Sequence, residues 1–495
     1  MKKKIIIIGA GTAGLACGIR LQTLGFQCEI YEKNDQVGGR MYQIREKGFS
    51  FDVGPTIVLM PKMYQELFRF SGANPDDYIP MTLLEPMNTI HYPDGYSFSI
   101  SSNLPKFIGQ LESFSEEETA GYLRYLSDVY KRYIIAKEAF LEKSYRRPRD
   151  FYHFKTLHAL FKLRTLNNAY SSISSFVEED KLRKALSFQT LYIGISPFSG
   201  PSIYTIIPMI ELLYGVHYIK GGMYQMAKAM ERRFIELGGH LHLNQTVDEI
   251  VIDKGVAKGI RIDDRFIEGN AVLSNADFPW TMKYLIKNKK DKGKYTDRKI
   301  DKMEYSSSSL IMYLGLNKKY PTTVHQIHFA HDFKKNIEEL FIGVVPEDPS
   351  FYLYSPTQID PDLAPQDHEI LYVLVPVPSL HQNNIQWDET LVNKVKTLVM
   401  NKIKSIHGFE DIQDHVVYEK IFTPNHFESQ FNLQFGATFG LKPTILQSLY
   451  FRPQATSRTV KNLYFTGSST HPGAGVPIVL MSAKIATQEI VRDLT

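Results

Sequence analysis

The stretch "KKKIIIIGAGTAGLACGIRLQTLGFQCEIYEKNDQVGGR", residues 2–40, decides the fold. Its "IIIIG" is a continuous β-branched run, as expected of a strand covered on both faces. Gly9, Gly11 and Gly14 follow in G-x-G-x-x-G spacing, with Ala10, Thr12 and Ala13 between them. In such a turn the first glycine permits the tight bend and the second lets the backbone approach a pyrophosphate. The third allows the next helix to pack closely on the strand. That helix is predicted from about Ala13 to Leu24, its positive N-terminal end facing the phosphates. A second strand, "QCEIYE", ends in Glu32, with Lys33 after it. A carboxylate there accepts hydrogen bonds from ribose hydroxyls and disfavours the 2′-phosphate of NADP. A lone glycine motif is weak evidence. Here it follows a strand, opens a helix and precedes an acid, so the unit is read as a dinucleotide site.

Composition limits what surrounds it. At 495 residues the chain has room for two to four domains, or for one domain with a large insertion. Hydrophobic residues make up 43% and charged residues 22%, ordinary for a globular enzyme, and a net charge of +4 does not suggest nucleic-acid binding. Cys17 and Cys28 are either a redox pair or two small buried hydrophobes. Such sparse cysteine use fits a reducing cytoplasm. No stretch approaches twenty uninterrupted apolar residues. The lysines at 2–4 lead into a glycine turn and not a cleavage site. The expected location is therefore cytoplasmic, peripheral on the inner face of the cell membrane. No metal site is expected.

The choice between NAD and FAD rests on "NDQVGGR", residues 34–40. This string resembles the extended signature of the large flavoprotein family that includes amine oxidases, protoporphyrinogen oxidases and carotenoid desaturases. The resemblance implies FAD, with Gly38 and Gly39 passing the pyrophosphate and Arg40 approaching the phosphates or the flavin; otherwise Arg40 is a surface ion-pair partner. It also implies that Gly54, Pro55 and Thr56, after the strand-like "GFSFDV", lie near the isoalloxazine, although a plain turn is open to them. The helix expected after Gly222, with Met223, Met226, Met230 and Phe234 at helical spacing, ends at Gly238 and Gly239. In the family the strand after it brings a backbone valine to the adenine, which matches Val247. "AVLSNADF", residues 271–278, resembles the strand that closes the same domain. Near the end, "LYFTGSSTHPGAGVPIVL" supplies Gly467, Ser468, Gly475, Val476 and Pro477. A helix beginning near Pro477 directs its N-terminal end at an electron-rich group. Many flavoproteins carry an aspartate where Ser468 stands, so a hydroxyl or backbone contact must substitute. His471 in this loop is either an acid or base, or a residue that orders the loop.

These pieces come from the start, the middle and the end. The expected fold class is therefore α/β with α+β insertions. A Rossmann-like FAD-binding domain is assembled from residues 1–74, 216–284 and 456–495. Residues 75–215 and 285–455 form an inserted mixed-sheet and helical domain for substrate and membrane. The strand-like runs 308–316 and 369–378 support the sheet.

The stretch 186–219 holds one charge, Glu211, and is either the buried core of the insertion or the lining of a long apolar tunnel. Residues 131–164 hold ten Lys or Arg against three acids, interleaved with aromatics. That pattern suits docking on anionic lipid, or a solvated amphipathic helix pair. Four strings narrow the resemblance: residues 48–61, "FQTLYIGISPFSGPSIYTIIPMIELLYGVHYIKGGMY", "FGATFGLKPTILQSLYFRPQ" and "THPGAGVPIVL". They resemble the bacterial thirty-carbon members of the carotenoid and phytoene desaturase family over nearly the whole chain. The resemblance implies successive dehydrogenation of a linear thirty-carbon polyene, from 4,4′-diapophytoene to 4,4′-diaponeurosporene, with hand-over to other carotenoid enzymes. Glu211 is then a candidate base or cation stabiliser, or a paired structural acid. The rivals are a terminal-methyl oxidase of the same family and a non-redox prenyl-lipid binding protein.

Overall fold

The computed structural model describes residues 2–163, 167–383 and 385–495. The opening run forms strand β1 (Lys4–Ile8), which leads through the glycines into helix α1 (Thr12–Thr23) and strand β2 (Gln27–Tyr31). They belong to a five-stranded sheet in the order Leu463–Phe465, Ala271–Ser274, β1, β2, His240–His242, every pair parallel. Ile5 and Ile7 pack with α1 and the helices Tyr224–Glu236 and Val476–Leu494. Ile6 and Ile8 pack on the opposite face, against the antiparallel sheet Glu249–Asp253, Val256–Ile262, Arg265–Glu268. Both faces of β1 are dry, and an uninterrupted apolar run is what such a strand requires. Cys17 and Cys28 are free and buried, and burial pushes the Cys17 thiol up to about 12, so they are small core residues.

A seven-stranded mixed sheet stands beside this unit, in the order Val416–Phe422, Ser308–Leu316, Glu369–Val377, Phe351–Tyr354, His325–His328, Asn88–His91, Ser97–Ile100. Its one parallel pair, His325–His328 with Asn88–His91, joins strands from the two halves of the chain. Helices between residues 104 and 214 cover part of it, around a core that includes Tyr122, Tyr125, Phe188 and Met209. The hairpin Tyr42–Glu46 and Phe49–Val53 links the two sheets. Phe51 stacks on Tyr418 at 5.2 Å, while Phe49 lies so close to Gly315 that a Cβ there would meet its ring at 2.7 Å.

One expectation needs correction. The predicted strand after Gly239 is short, His240–His242, and Val247 lies beyond it in the loop that leads to Glu249–Asp253. The edge strand ends as soon as its pairing with β2 does, and Val247 is held instead by the core on the far face.

Gly14 shows how closely α1 is seated: a Cβ would lie 2.1 Å from the Gly9 carbonyl oxygen, a backbone atom that cannot swing away. Gly14→Ala is expected to destabilise the protein by about 1–3 kcal/mol. Gly109→Ala, in the helix Leu104–Glu112 with no atom within 4 Å of the added methyl, should be neutral or mildly stabilising. Urea midpoints of the two variants measure the difference.

Candidate active site

The carboxyl ends of β1, Ala271–Ser274 and Leu463–Phe465 open onto one cavity of about 640 Å³. Parallel strands ending together leave a crevice at their carboxyl edge, where ligands of open α/β sheets bind. Of the cofactor residues expected from the sequence, all except Ala10 and Gly14 line it. Those two act from behind. Gly14 admits the helix, and the Ala10 N–H donates to Glu32 Oε2 at 2.8 Å. The other Glu32 oxygen accepts from the N–H and the side-chain amide of Asn34, at 3.0 and 2.9 Å. A carboxylate offers about four acceptor positions, so one is left for a hydroxyl.

The second glycine pair lies against the first. The Gly38 N–H donates to the Ala10 carbonyl at 2.9 Å. At φ +103°, with a Cβ that would fall 2.0 Å from the Met41 oxygen, position 38 admits only glycine. This turn delivers Arg40, whose guanidinium donates to the Thr438 carbonyl at 2.6 Å and to Ser468 Oγ at 2.7 Å. Three segments far apart in sequence therefore meet at one side chain. Arg40 forms no ion pair among the described residues, and burial holds its pKa below the usual guanidinium range. A buried cation beside glycine backbone is the chemistry that receives a pyrophosphate, and the Asp277 carboxylate on the same wall favours its charged form.

The loop after Gly467 is pinned from inside. Arg452, 1% exposed, donates to the carbonyls of Leu441, Gln447, Ser468 and Thr470. His471 does not line the cavity. It is buried edge-on to Tyr145 at 5.3 Å, and burial holds it down to about 4. It orders the loop. Where an aspartate was missing at Ser468, the same wall carries Asp277, which accepts from Ser469 Oγ and whose pKa burial raises. Asn275 donates to the Gly9 carbonyl at 3.2 Å. Neither was singled out from the sequence. Their signal was their place at the end of "AVLSNADF", a strand whose carboxyl end adjoins β1.

Beyond Gly54, Pro55 and Thr56 the cavity continues into the insertion. There its walls are Phe188, Leu191 and Tyr192, then Ile327, Phe329 and Phe333, then Phe351, Tyr352 and Tyr372, with the hydroxyls of Ser307, Ser308 and Ser309. The two readings of residues 186–219 divide by segment. The turn Phe188–Ile193 supplies wall, whereas the helix Ile206–Tyr214 is core. Glu211 belongs to the latter. It is fully buried, lines no part of the cavity, and accepts from Asn88 at 2.9 Å and Gln189 at 3.2 Å.

In the basic stretch 131–164, Arg164 lies outside the described residues. Two of its cations are structural: Arg132 pairs with Asp128, and Arg146 pairs with Glu489 and Asp493. Arg147, Arg149 and Lys162 are exposed, as are Tyr152 and Phe154, the last at 82%. Among the described residues no helix is long and apolar enough to cross a membrane.

The sequence profile described as flavin containing amine oxidoreductase matches residues 12–491. A 4,4′-diapophytoene desaturase (4,4′-diaponeurosporene-forming) of Staphylococcus haemolyticus is 45% identical over 495 residues, covering 99% of each chain. One of the same description from Staphylococcus aureus strain MRSA252 is 44% identical over 497 residues, again 99% of each. Among solved structures, an oxidoreductase from Methanosarcina mazei superposes with a TM-score of 0.65 at 18% identity, covering 98% of this chain and 100% of its own. That likeness concerns the fold.

FAD fits these residues: at Gly14, Gly38 and Gly54 a Cβ would lie 2.1, 2.0 and 2.2 Å from a backbone oxygen, Glu32 keeps an acceptor for ribose, and the Arg40 cation faces the same cavity. Arg40→Gln is expected to weaken FAD binding to the apoprotein about ten- to hundredfold, read by quenching of flavin fluorescence. A second expectation concerns Glu211, whose carboxyl burial pushes up from 4.5 to about 7. The folded chain therefore holds a proton that the unfolded chain releases. Its contribution is full below pH 4.5 and is lost as pH rises through about 7. Glu211→Gln should flatten this loss, about 3 kcal/mol at most, in urea unfolding compared at acid and neutral pH.

Proposed function

The chain belongs to the flavin-containing amine oxidoreductase family, and from that premise we propose that it is an FAD-dependent desaturase. It would convert 4,4′-diapophytoene by successive dehydrogenation to 4,4′-diaponeurosporene, the reaction named for its Staphylococcus relatives. One observation carries this reading: a single cavity runs from the glycine cradle into an apolar chamber walled by aromatic and aliphatic side chains. A linear polyene matches such a chamber, and an amine would find no carboxylate in it among the described wall residues.

The division into cofactor segments 1–74, 216–284 and 456–495 and inserted segments 75–215 and 285–455 is part of the proposal. The five-stranded and seven-stranded sheets support it. Bound FAD supplies the acceptor for the hydride that leaves an allylic carbon. The chain's own residues do the rest. Phe188, Phe329, Phe351 and their neighbours exclude water and hold the polyene extended, so that each new double bond is placed by how far the chain has slid. Thr56 and its neighbours Gly54 and Pro55 set the boundary between cofactor and substrate.

A lipid-borne substrate implies loading from a membrane. Tyr152 and Phe154, exposed beside Arg147, Arg149 and Lys162, suit peripheral docking on anionic lipid at the inner face of the cell membrane, from which product passes to other carotenoid enzymes.

The test supplies 4,4′-diapophytoene in vesicles to FAD-loaded protein and follows mass and absorption together. Stepwise loss of two hydrogens with absorption moving to longer wavelength is expected, faster with anionic than with neutral lipid. Gain of oxygen would identify terminal-methyl oxidation instead. Unchanged precursor retained by a colourless protein would identify a prenyl-lipid carrier.

A further inference from the structure

Desaturation removes a proton as well as a hydride, and the substrate half of the cavity offers little to take it. Its described walls beyond Thr56 carry no Asp, Glu, Lys or Arg. The charged residues that do line the cavity are Glu32, Lys33, Arg40, Asp248, Asp277 and Lys287, on segments of the cofactor half or next to its core. Glu211 is outside the wall. What remains are hydroxyls, and one of them differs from the others. Tyr352 Oη lies 2.7 Å from Thr56 Oγ1 and 2.6 Å from His325 Nδ1. Thr56 comes from the Gly-Pro-Thr loop, and Tyr352 and His325 from paired strands of the seven-stranded sheet. This contact therefore spans the junction between the two parts of the cavity.

An unpartnered ring nitrogen does not set His325 apart, since His91, His217, His242, His426 and His471 have one too; its contact with Tyr352 does. His325 is 1% exposed, its ring lies flat against Tyr354 at 4.9 Å, and its Nε2 has no hydrogen-bond partner. A buried imidazole nitrogen left without a partner costs stability, while the ring's other nitrogen meets the tyrosine that also reaches the Thr56 side chain of the cofactor loop. By contrast the Tyr372 hydroxyl donates to the Gly54 carbonyl, and the Tyr192 hydroxyl has no partner to which a proton could pass.

We propose that Tyr352 is the proton acceptor of the desaturation, with His325 as the positioning residue that receives the phenolic proton behind it. The proposal requires the hydrogen bonds to run from Thr56 to Tyr352 to His325, with Nδ1 the acceptor and the imidazole proton on Nε2. This rests on the desaturase reading. When the hydride has gone to oxidised flavin, the polyene is left as an allylic cation. The neighbouring C–H bond breaks, its electron pair becomes the new C=C bond, and the proton goes to Tyr352 Oη. The Tyr352 O–H bond breaks in the same event and its proton goes to His325 Nδ1. The charge thus moves from carbon to imidazolium, and the proton returns by the same path to water once the product has slid on. A proton next to a carbocation is so acidic that a weak base suffices. Burial holds His325 down to about 3, which keeps it neutral between turnovers and ready to give the proton back.

Two measurements test this. In FAD-loaded protein carrying ¹⁵N-histidine, the resonance lost in His325→Gln identifies His325. Its Nδ1 is expected in the range of an unprotonated acceptor and should move in Tyr352→Phe; a protonated Nδ1 overturns the proposal without any appeal to activity. In anaerobic single turnovers with 4,4′-diapophytoene, Tyr352→Phe should slow the appearance of longer-wavelength polyene absorption roughly hundredfold, with the half-saturating substrate concentration and the resting flavin absorbance unchanged. Polyene appearance within about twofold of the parent overturns it. If Tyr352→Phe fails to fold, the nitrogen resonance of the parent decides. Should the parent form no polyene, the desaturase reading falls and this step with it; parent activity that survives in Tyr352→Phe removes this step alone.

Discussion

The structure depends on one edge-to-edge convergence: three parallel strands end side by side, and the loops leaving them must share a space too small for side chains. Asn275 sits among them. Its amide donates to the Gly9 carbonyl, and a Cβ at Gly11 or Gly14 would come within 2.9 or 3.1 Å of its nitrogen. A Cβ at Gly467 would come within 3.3 Å of its oxygen. The same amide thus fixes the first loop against the last. Close packing of this kind transmits strain and does not absorb it. The orientation of Arg40, Ser468 and the start of the C-terminal helix follows from it, and so does the shape of the space in which a cofactor must lie.

The cofactor half was legible because its signals are local. The β-branched run, the glycine spacing, the acid at Glu32 and the proline-led helix each act within a few residues, and each leads to residues on the cavity wall. Val247 shows the limit. It was expected on a strand, but whether an edge strand continues depends on its partner, and β2 stops pairing at His242. Asp277 carries no local signal of its role, since only the sheet order tells that the strand before it lies next to β1.

The substrate half was legible as composition, without positions. His325, Phe351 and Tyr352 sit in short strands whose sequences say only that they are buried. Their meeting with Thr56 depends on pairings that cross most of the chain. The reading of residues 186–219 could not separate wall from core because the same apolar residues serve both, and the choice is made by which side of one short turn they occupy. Glu211 drew notice as the single charge in an apolar stretch. Its solution is two amide donors, which satisfy the carboxyl and take it away from the cavity. In the basic stretch, formal charge overstated what is available to a partner, because Arg132 and Arg146 are already engaged with acids of this chain.

The strand Leu463–Phe465 pairs with Ala271–Ser274, which pairs with β1. The nucleotide cradle therefore borrows its final wall from a part of the polypeptide made long after the first. The opening β-α-β unit comes first in the chain, but its carboxyl edge is complete only when a strand more than four hundred residues further on has joined the sheet. Contacts of such high sequence separation are slow to form and leave apolar surface exposed meanwhile. Flavin capture is then a late event in folding, because the cradle lacks its last wall until Leu463–Phe465 has joined the sheet.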